Sequence, residues 1–123
     1  RELERHMAKE PLPGLHFRAA SFQPVFSKHQ GALCHGVQVH ITDREQADSI
    51  LGALKLLDAV RQLYPEDIEF ISWDGGQTHS LDKLLGTDLY RAGKMDGQRL
   101  LDYFAPQVRA FREALAPHLL YQS

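Results

Sequence analysis

Apolar and polar residues alternate through HGVQVHIT at 35–42, so Val37, Val39 and Ile41 share one side of an extended chain and Gly36, Gln38, His40 and Thr42 share the other. This pattern predicts a strand with one core face and one polar face. LHFRAASF at 15–22 alternates more loosely and predicts another strand, which Pro24, having no N–H to donate, closes or confines to a sheet edge. Beyond residue 42 the period changes. Ala47, Ile50, Leu51, Leu54, Leu57 and Val60 recur at spacings of three and four, predicting an amphipathic helix over 43–63 that Tyr64 and Pro65 terminate. The string T-D-R-E at 42–45 has capping-box form and places the helix start at Thr42, while Asp43 with Gln46 offers the same box one residue later. The segment DIEFIS predicts a short strand near 67–72, followed by the loop WDGGQTHS.

The flanks read as helix. Residues 1–10 pair Leu3 with Met7 and stop at Pro11, Pro13 and Gly14. LDKLLGTDLYRAG predicts a turn or two of helix ending at Gly86, then a restart capped by Thr87 and closed by Gly93. Leu101, Phe104, Val108, Phe111 and Leu115 form a three-four-three-four stripe that predicts a last helix over 96–116 facing the core, with Pro106 kinking it or beginning its second half. The resulting class is α/β, bordering on α+β: a small mixed sheet of three to four strands packed against helices in β-β-α-β-α order. The strand–helix–strand middle favours two parallel strands joined by a right-handed crossover.

Composition narrows the picture. At 123 residues the chain has room for about one hydrophobic core, so 1–123 is read as a single domain. Apolar residues at 43% and charged residues at 24% argue against disorder. Fourteen Lys and Arg against sixteen Asp and Glu, with no basic run, give no phosphate-binding footprint, and no nucleic-acid partner is expected. Cys34 is the only cysteine, which excludes an intrachain disulfide and a four-cysteine zinc site. No apolar run approaches the roughly 20 residues that span a bilayer, and the start RELERHMAKE has no signal-peptide core, so the segment carries no compartment signal. Arg1 in place of Met points to a chain cut from something longer, or, with His6 and Met7, to a cloning scar.

Candidate chemistry is sparse. Cys34, His35 and His40 are the densest potential metal ligands, but His35 and His40 point to opposite sides of one strand, so no metal or other cofactor is expected. Ser27 beside Lys28, and Cys34 beside His35, pair a nucleophile with a base in sequence, yet neighbours on an extended chain diverge. Asp43, Asp74, Asp82 and Asp88 are the available carboxylates, each with an alternative role as cap or turn residue, and no catalytic pair stands out. The most distinctive feature is the polar side of the 36–42 strand, where Gln38 and His40 precede the Thr42 cap. Ligands of α/β sheets favour that place, and a solvated sheet face is the alternative.

The string FQPVFSKHQGALCHGVQVHITDR at 22–44 resembles the C-terminal domain of the NamZ-type exo-β-N-acetylmuramidases, formerly a family of unknown function. LYPED at 63–67, LDKLLGTD at 81–88 and FREALAPHLLY at 111–121 recur in the same order, and RELERHMAKEPLPGLHF resembles the helix and turn that precede the family's FSK segment. The resemblance implies a bacterial, often extracytoplasmic, glycosidase that removes N-acetylmuramic acid from peptidoglycan fragments. It also implies a Rossmann-like N-terminal catalytic domain, absent from this chain, with the active cleft between the two domains. On that reading the chain is an auxiliary domain, not catalytic alone, whose partners are the catalytic domain and a muramoglycan or muropeptide saccharide. Ser27, Lys28, Gly36, Gln38, His40 and Asp43 fall within the matching strings and become the substrate-binding candidates. Relatives carry a longer aromatic- and carboxylate-rich stretch where this chain has only WDGGQTHS. A free-standing carbohydrate-binding or protein-interaction module, and a purely structural domain, are the competing readings.

Overall fold

The computed structural model describes residues 1–119, and these fall into two compact units divided after Glu69. The first holds helix α1 (Glu2–Met7), strands β1 (Leu15–Phe22) and β2 (Cys34–Ile41), and helix α2 (Ser49–Leu63). The two strands form an antiparallel hairpin in which Leu15 pairs with Ile41, Phe17 with Val39, Arg18 with Gln38 and Phe22 with Cys34. Side chains alternate across a pleated pair, so Leu15, Phe17, Ala19, Val37, Val39 and Ile41 occupy one face, as the alternation predicted.

A two-stranded hairpin is marginal by itself, and the helices supply what it lacks. Met7 of α1, Phe17 of β1 and Ala59 of α2 make the buried centre, with Leu3, Leu12, Leu15, Val37 and Leu56 packed around it. Burying Phe17 alone contributes roughly 1.5–3 kcal/mol. Helix α1 also protects the free edge of β1, because the Glu4 carboxylate accepts a hydrogen bond from the Ala19 N–H at 2.9 Å.

In the second unit, helix α3 (Ser80–Leu85) ends at Gly86 in the left-handed conformation (φ 70°), the terminator the sequence predicted. Thr87 accepts from the Leu89 N–H, and residues 88–93 form bends and turns rather than a restarted helix. Helix α4 (Gly97–Leu115) begins at Asp96, whose side chain accepts from the Arg99 N–H at 2.8 Å, and it runs through Pro106 as one element before a 3₁₀ turn over Ala116–His118. Tyr90 and Leu100 are the most deeply buried side chains of this unit.

The mixed α/β class stands, with four corrections. The sheet has two antiparallel strands, so there is no parallel crossover, and the segment near 67–72 contributes only an isolated bridge between Ser72 and His79. Helix α2 starts at Ser49, six residues beyond the predicted start: Asp48 is its cap, accepting from the Leu51 N–H at 2.9 Å. Thr42 instead donates its N–H to the Gly14 carbonyl at 2.8 Å, which holds residue 42 to the turn before β1. The stripe on α4 faces a core only in its first half, since Leu101 and Phe104 are half-buried while Val108, Phe111 and Leu115 are exposed, and the buried positions of the helix are Gly97 and Leu100. Of the matching terminal string, Leu120 and Tyr121 lie outside the described residues. No described helix is long and apolar enough to cross a membrane.

Candidate functional site

Pleating places four alternate residues of the hairpin on the face opposite the core: Gln38 and His40 from β2, and Arg18 and His16 directly across from them on β1. The Arg18 guanidinium donates to Gln38 Oε1 at 3.3 Å. The His16 and His40 rings lie 6.4 Å apart at a 45° tilt. His40 Nε2 is enclosed and has no hydrogen-bond partner among the described residues. An enclosed polar nitrogen without a partner is costly, and a ligand or further polypeptide that reached it would remove that cost. Gly36 continues the face toward the hairpin tip, where an added Cβ would meet Phe22 Cε1 at 3.7 Å, an ordinary contact.

The loop joining the strands carries Ser27 and Lys28, both exposed. Ser27 and His29 adopt left-handed backbone conformations (φ 66° and 58°), uncommon for residues with a Cβ, so Lys28 sits between two strained positions. The loop is braced by Gly31 N–H to the Pro24 carbonyl at 2.9 Å and by the Gln23 amide to the Gly31 carbonyl at 2.6 Å. Asp43 lies beyond the carboxyl end of β2, and its two oxygens accept from the Glu45 N–H at 2.9 Å and the Gln46 amide at 2.6 Å. Its carboxylate is thus engaged in a local turn.

Gln38, His40 and Gly36 come together on one face, Lys28 and Ser27 stand on the loop at its far end, and Asp43 closes the near end. Sequence reasoning missed Arg18 and His16. Their signal was available in the alternation of 15–22, but choosing them required the antiparallel register, which periodicity does not supply. The remaining sequence candidates diverge as predicted: His35 is on the core-side face, bonded to Ser21 Oγ at 2.9 Å, while the Cys34 thiol reaches the Ala32 carbonyl. Among the described residues no group of three or more His, Cys, Asp or Glu is placed to hold a metal.

A cavity of about 540 Å³ lies elsewhere in this unit. It opens on the apolar face between Val39 and Ile41 of β2 and Gly52 and Leu56 of α2, with Arg44 at its margin. Its walls offer apolar contact and little hydrogen bonding, so the polar face is the better place for a hydroxylated or charged ligand. In the second unit, Asp82 accepts both oxygens' worth of contact from Arg91 Nε, at 3.0 and 2.8 Å, with His79 Nδ1 at 3.9 Å.

Comparison with known proteins matches the sequence and fold of the chain to a family. Residues 1–121 match the family described as exo-beta-N-acetylmuramidase NamZ, C-terminal. The chain is 39% identical over 123 residues to the peptidoglycan beta-N-acetylmuramidase NamZ of Bacillus subtilis, covering 98% of this chain and 28% of that protein. The crystal structure of a DUF1343 family protein from Bacteroides fragilis superposes with a TM-score of 0.81 at 25% identity, over 98% of this chain and 32% of that one. The chain therefore spans under a third of the length of either relative.

Proposed function

The chain belongs to the NamZ C-terminal family, and from that premise we propose that it supplies one wall of the saccharide cleft in a peptidoglycan exo-β-N-acetylmuramidase. The observation that carries this reading is the cross-strand cluster of Arg18, Gln38, His16 and His40 on the face left free by the core. N-acetylmuramic acid bears a lactyl carboxylate, an amide and ring hydroxyls. A guanidinium suits the carboxylate, a primary amide suits the acetamido group, and an imidazole with an unpartnered nitrogen can donate or accept according to its tautomer. Lys28 adds a second cation on the loop, at the end of the face away from Asp43. In this reading the chain binds and orients, and the catalytic carboxylate comes from the rest of the parent protein.

Full-length protein carrying Arg18→Ala, Gln38→Ala or Lys28→Ala tests the proposal. Loss of a charge-assisted contact to the lactyl carboxylate should cost about 1.5–3 kcal/mol, or roughly 10- to 100-fold in kcat/KM for Arg18. The loss should appear mainly in KM, because the contact is similar in ground and transition states. Thermal midpoints should stay within about 2 °C, since the altered side chains are exposed. Wild-type kinetics in all three variants would assign the face to solvent, and a collapse of stability in all three would make it structural.

A further inference from the structure

The two edges of the hairpin are not alike. In an antiparallel pair, successive residues alternately aim both backbone groups at the partner strand and both away from it. The Thr42 N–H bonds to the Gly14 carbonyl, so the even-numbered residues of β2 face β1 and the odd-numbered residues of both strands face outward. On the outer edge of β1, the Glu4 carboxylate takes the Ala19 N–H. On the outer edge of β2, the N–H and C=O groups of Val37, Val39 and Ile41 have no hydrogen-bond partner among the described residues. Such a row of unpaired backbone groups is a template for another strand.

The apolar cavity opens on the same side. Across the core face, exposure rises from 8% at Phe17 of β1 to 46% at Val39 directly opposite it and 62% at Ile41. Val39 and Ile41 line the cavity of about 540 Å³ together with Gly52, Ala53 and Leu56 of α2. An open edge beside an apolar groove is the arrangement that strand addition uses: main-chain hydrogen bonds hold the segment, and every second side chain enters the groove.

Two observations choose the segment. The chain spans under a third of the length of either relative, so most of a family member lies outside these residues and is tethered to them. A tethered strand meets the edge at the high effective concentration its linker sets, whereas a second copy must be recruited from solution. Charge points the same way. Residues 11–42 contain Arg18, Lys28 and four histidines but no Asp or Glu, so a second hairpin laid along β2 would bring cations to cations.

We propose that β2 receives a third strand from the part of the parent polypeptide outside these 123 residues: an extended segment with apolar side chains over the groove and acidic or neutral polar ones on the face of Gln38 and His40. The inference goes beyond the saccharide reading and rests only on membership of the family.

Amide hydrogen exchange in the full-length protein, resolved to single residues, is the test. Gly36, Gln38 and His40, whose amides bond to β1, are the internal standard. The Val37, Val39 and Ile41 amides should exchange about 100-fold or more slowly than that of the exposed loop residue Lys28, at every dilution of a protein that light scattering shows to be a monomer. Ile41→Thr keeps a β-branched residue in the strand and removes the apolar contact. It should speed exchange at the odd-numbered amides about tenfold and lower the melting temperature by about 5 °C, with the even-numbered amides still protected. Val39→Thr, nearly isosteric, gives the same readout should Ile41→Thr fail to fold. Odd-numbered amides that exchange as fast as Lys28 overturn the proposal. Protection that disappears on dilution, together with a dimer, overturns it in favour of a second copy, and protection that neither variant changes overturns the filling of the groove. Fast exchange at these amides alongside a loss of kcat/KM in Arg18→Ala removes the third strand and leaves the saccharide reading standing.

Discussion

At the residue scale, Asp74 shows how one carboxylate can build a loop. Hydrogen bonds from the Thr78 hydroxyl, then the Thr78 N–H, then Ser72 hold its carboxyl far below the usual carboxylate range. A carboxyl group whose folded pKa is depressed adds stability that is complete above its unfolded value of about 3.9, and that stability is lost only as pH falls through the lower folded value. The loop should accordingly stay closed where an ordinary aspartate is already half protonated. The Thr78 amide shift in nuclear magnetic resonance is the direct readout: it should be flat from pH 7 to about 3 and move only in stronger acid. A titration centred near pH 4 would mean that Asp74 does not hold the turn. Asp74→Ala should free the Thr78 and Gly76 amides to exchange rapidly while leaving helix α4 intact, because Asp96 caps that helix independently.

At the scale of elements, the junction between the first turn and the segment after β2 depends on Gly14. Its φ is +71°, and an added Cβ would lie 2.3 Å from the Asp43 carbonyl oxygen and 2.6 Å from the Ala47 nitrogen, both backbone atoms. Its own carbonyl receives the Thr42 N–H. Gly14→Ala should destabilise the protein by about 3 kcal/mol or more, from left-handed strain together with a contact that no rotamer change relieves. Denaturant midpoints would show it, and a loss under 1 kcal/mol would mean that the turn can shift. The same junction explains a misreading of the sequence. T-D-R-E at 42–45 has capping-box form, but the bond from Thr42 to Gly14 and the turn closed by Asp43 delay α2 to Asp48, so a contact between residues distant in sequence overrides a local signal. Both strands, the end of α2, the Gly86 stop and the span of α4 were legible because periodicity and terminators act locally. The antiparallel register was not, and with it went Arg18 and His16. The α4 stripe has helical spacing, but spacing alone does not say what covers a face, and here Val108 and Phe111 remain exposed. Gln38 and His40 were legible as one polar face because alternation alone defines it.

At the scale of the whole molecule, the distribution of carboxylates bears on whether this chain could cleave a glycoside unaided. General acid catalysis requires a carboxyl group that is protonated near neutral pH and free to reach the leaving oxygen. The sheet face presents His16, Arg18, Gln38 and His40 but no carboxylate, and Asp43 at its end is occupied by Glu45 and Gln46. In the other unit, Asp74 is held in its ionised form and Asp82 is paired with Arg91. Neither is suited to give up a proton to a sugar oxygen. The 123-residue chain should therefore show no turnover of a muramic acid glycoside above a buffer blank, whereas the full-length protein should show turnover that Arg18→Ala reduces. Hydrolysis by the chain alone, abolished by substituting one of its own Asp or Glu residues, would overturn the division of labour proposed here. Activity in the full-length protein that is indifferent to Arg18, Gln38 and Lys28 would instead move the proposed cleft away from this face.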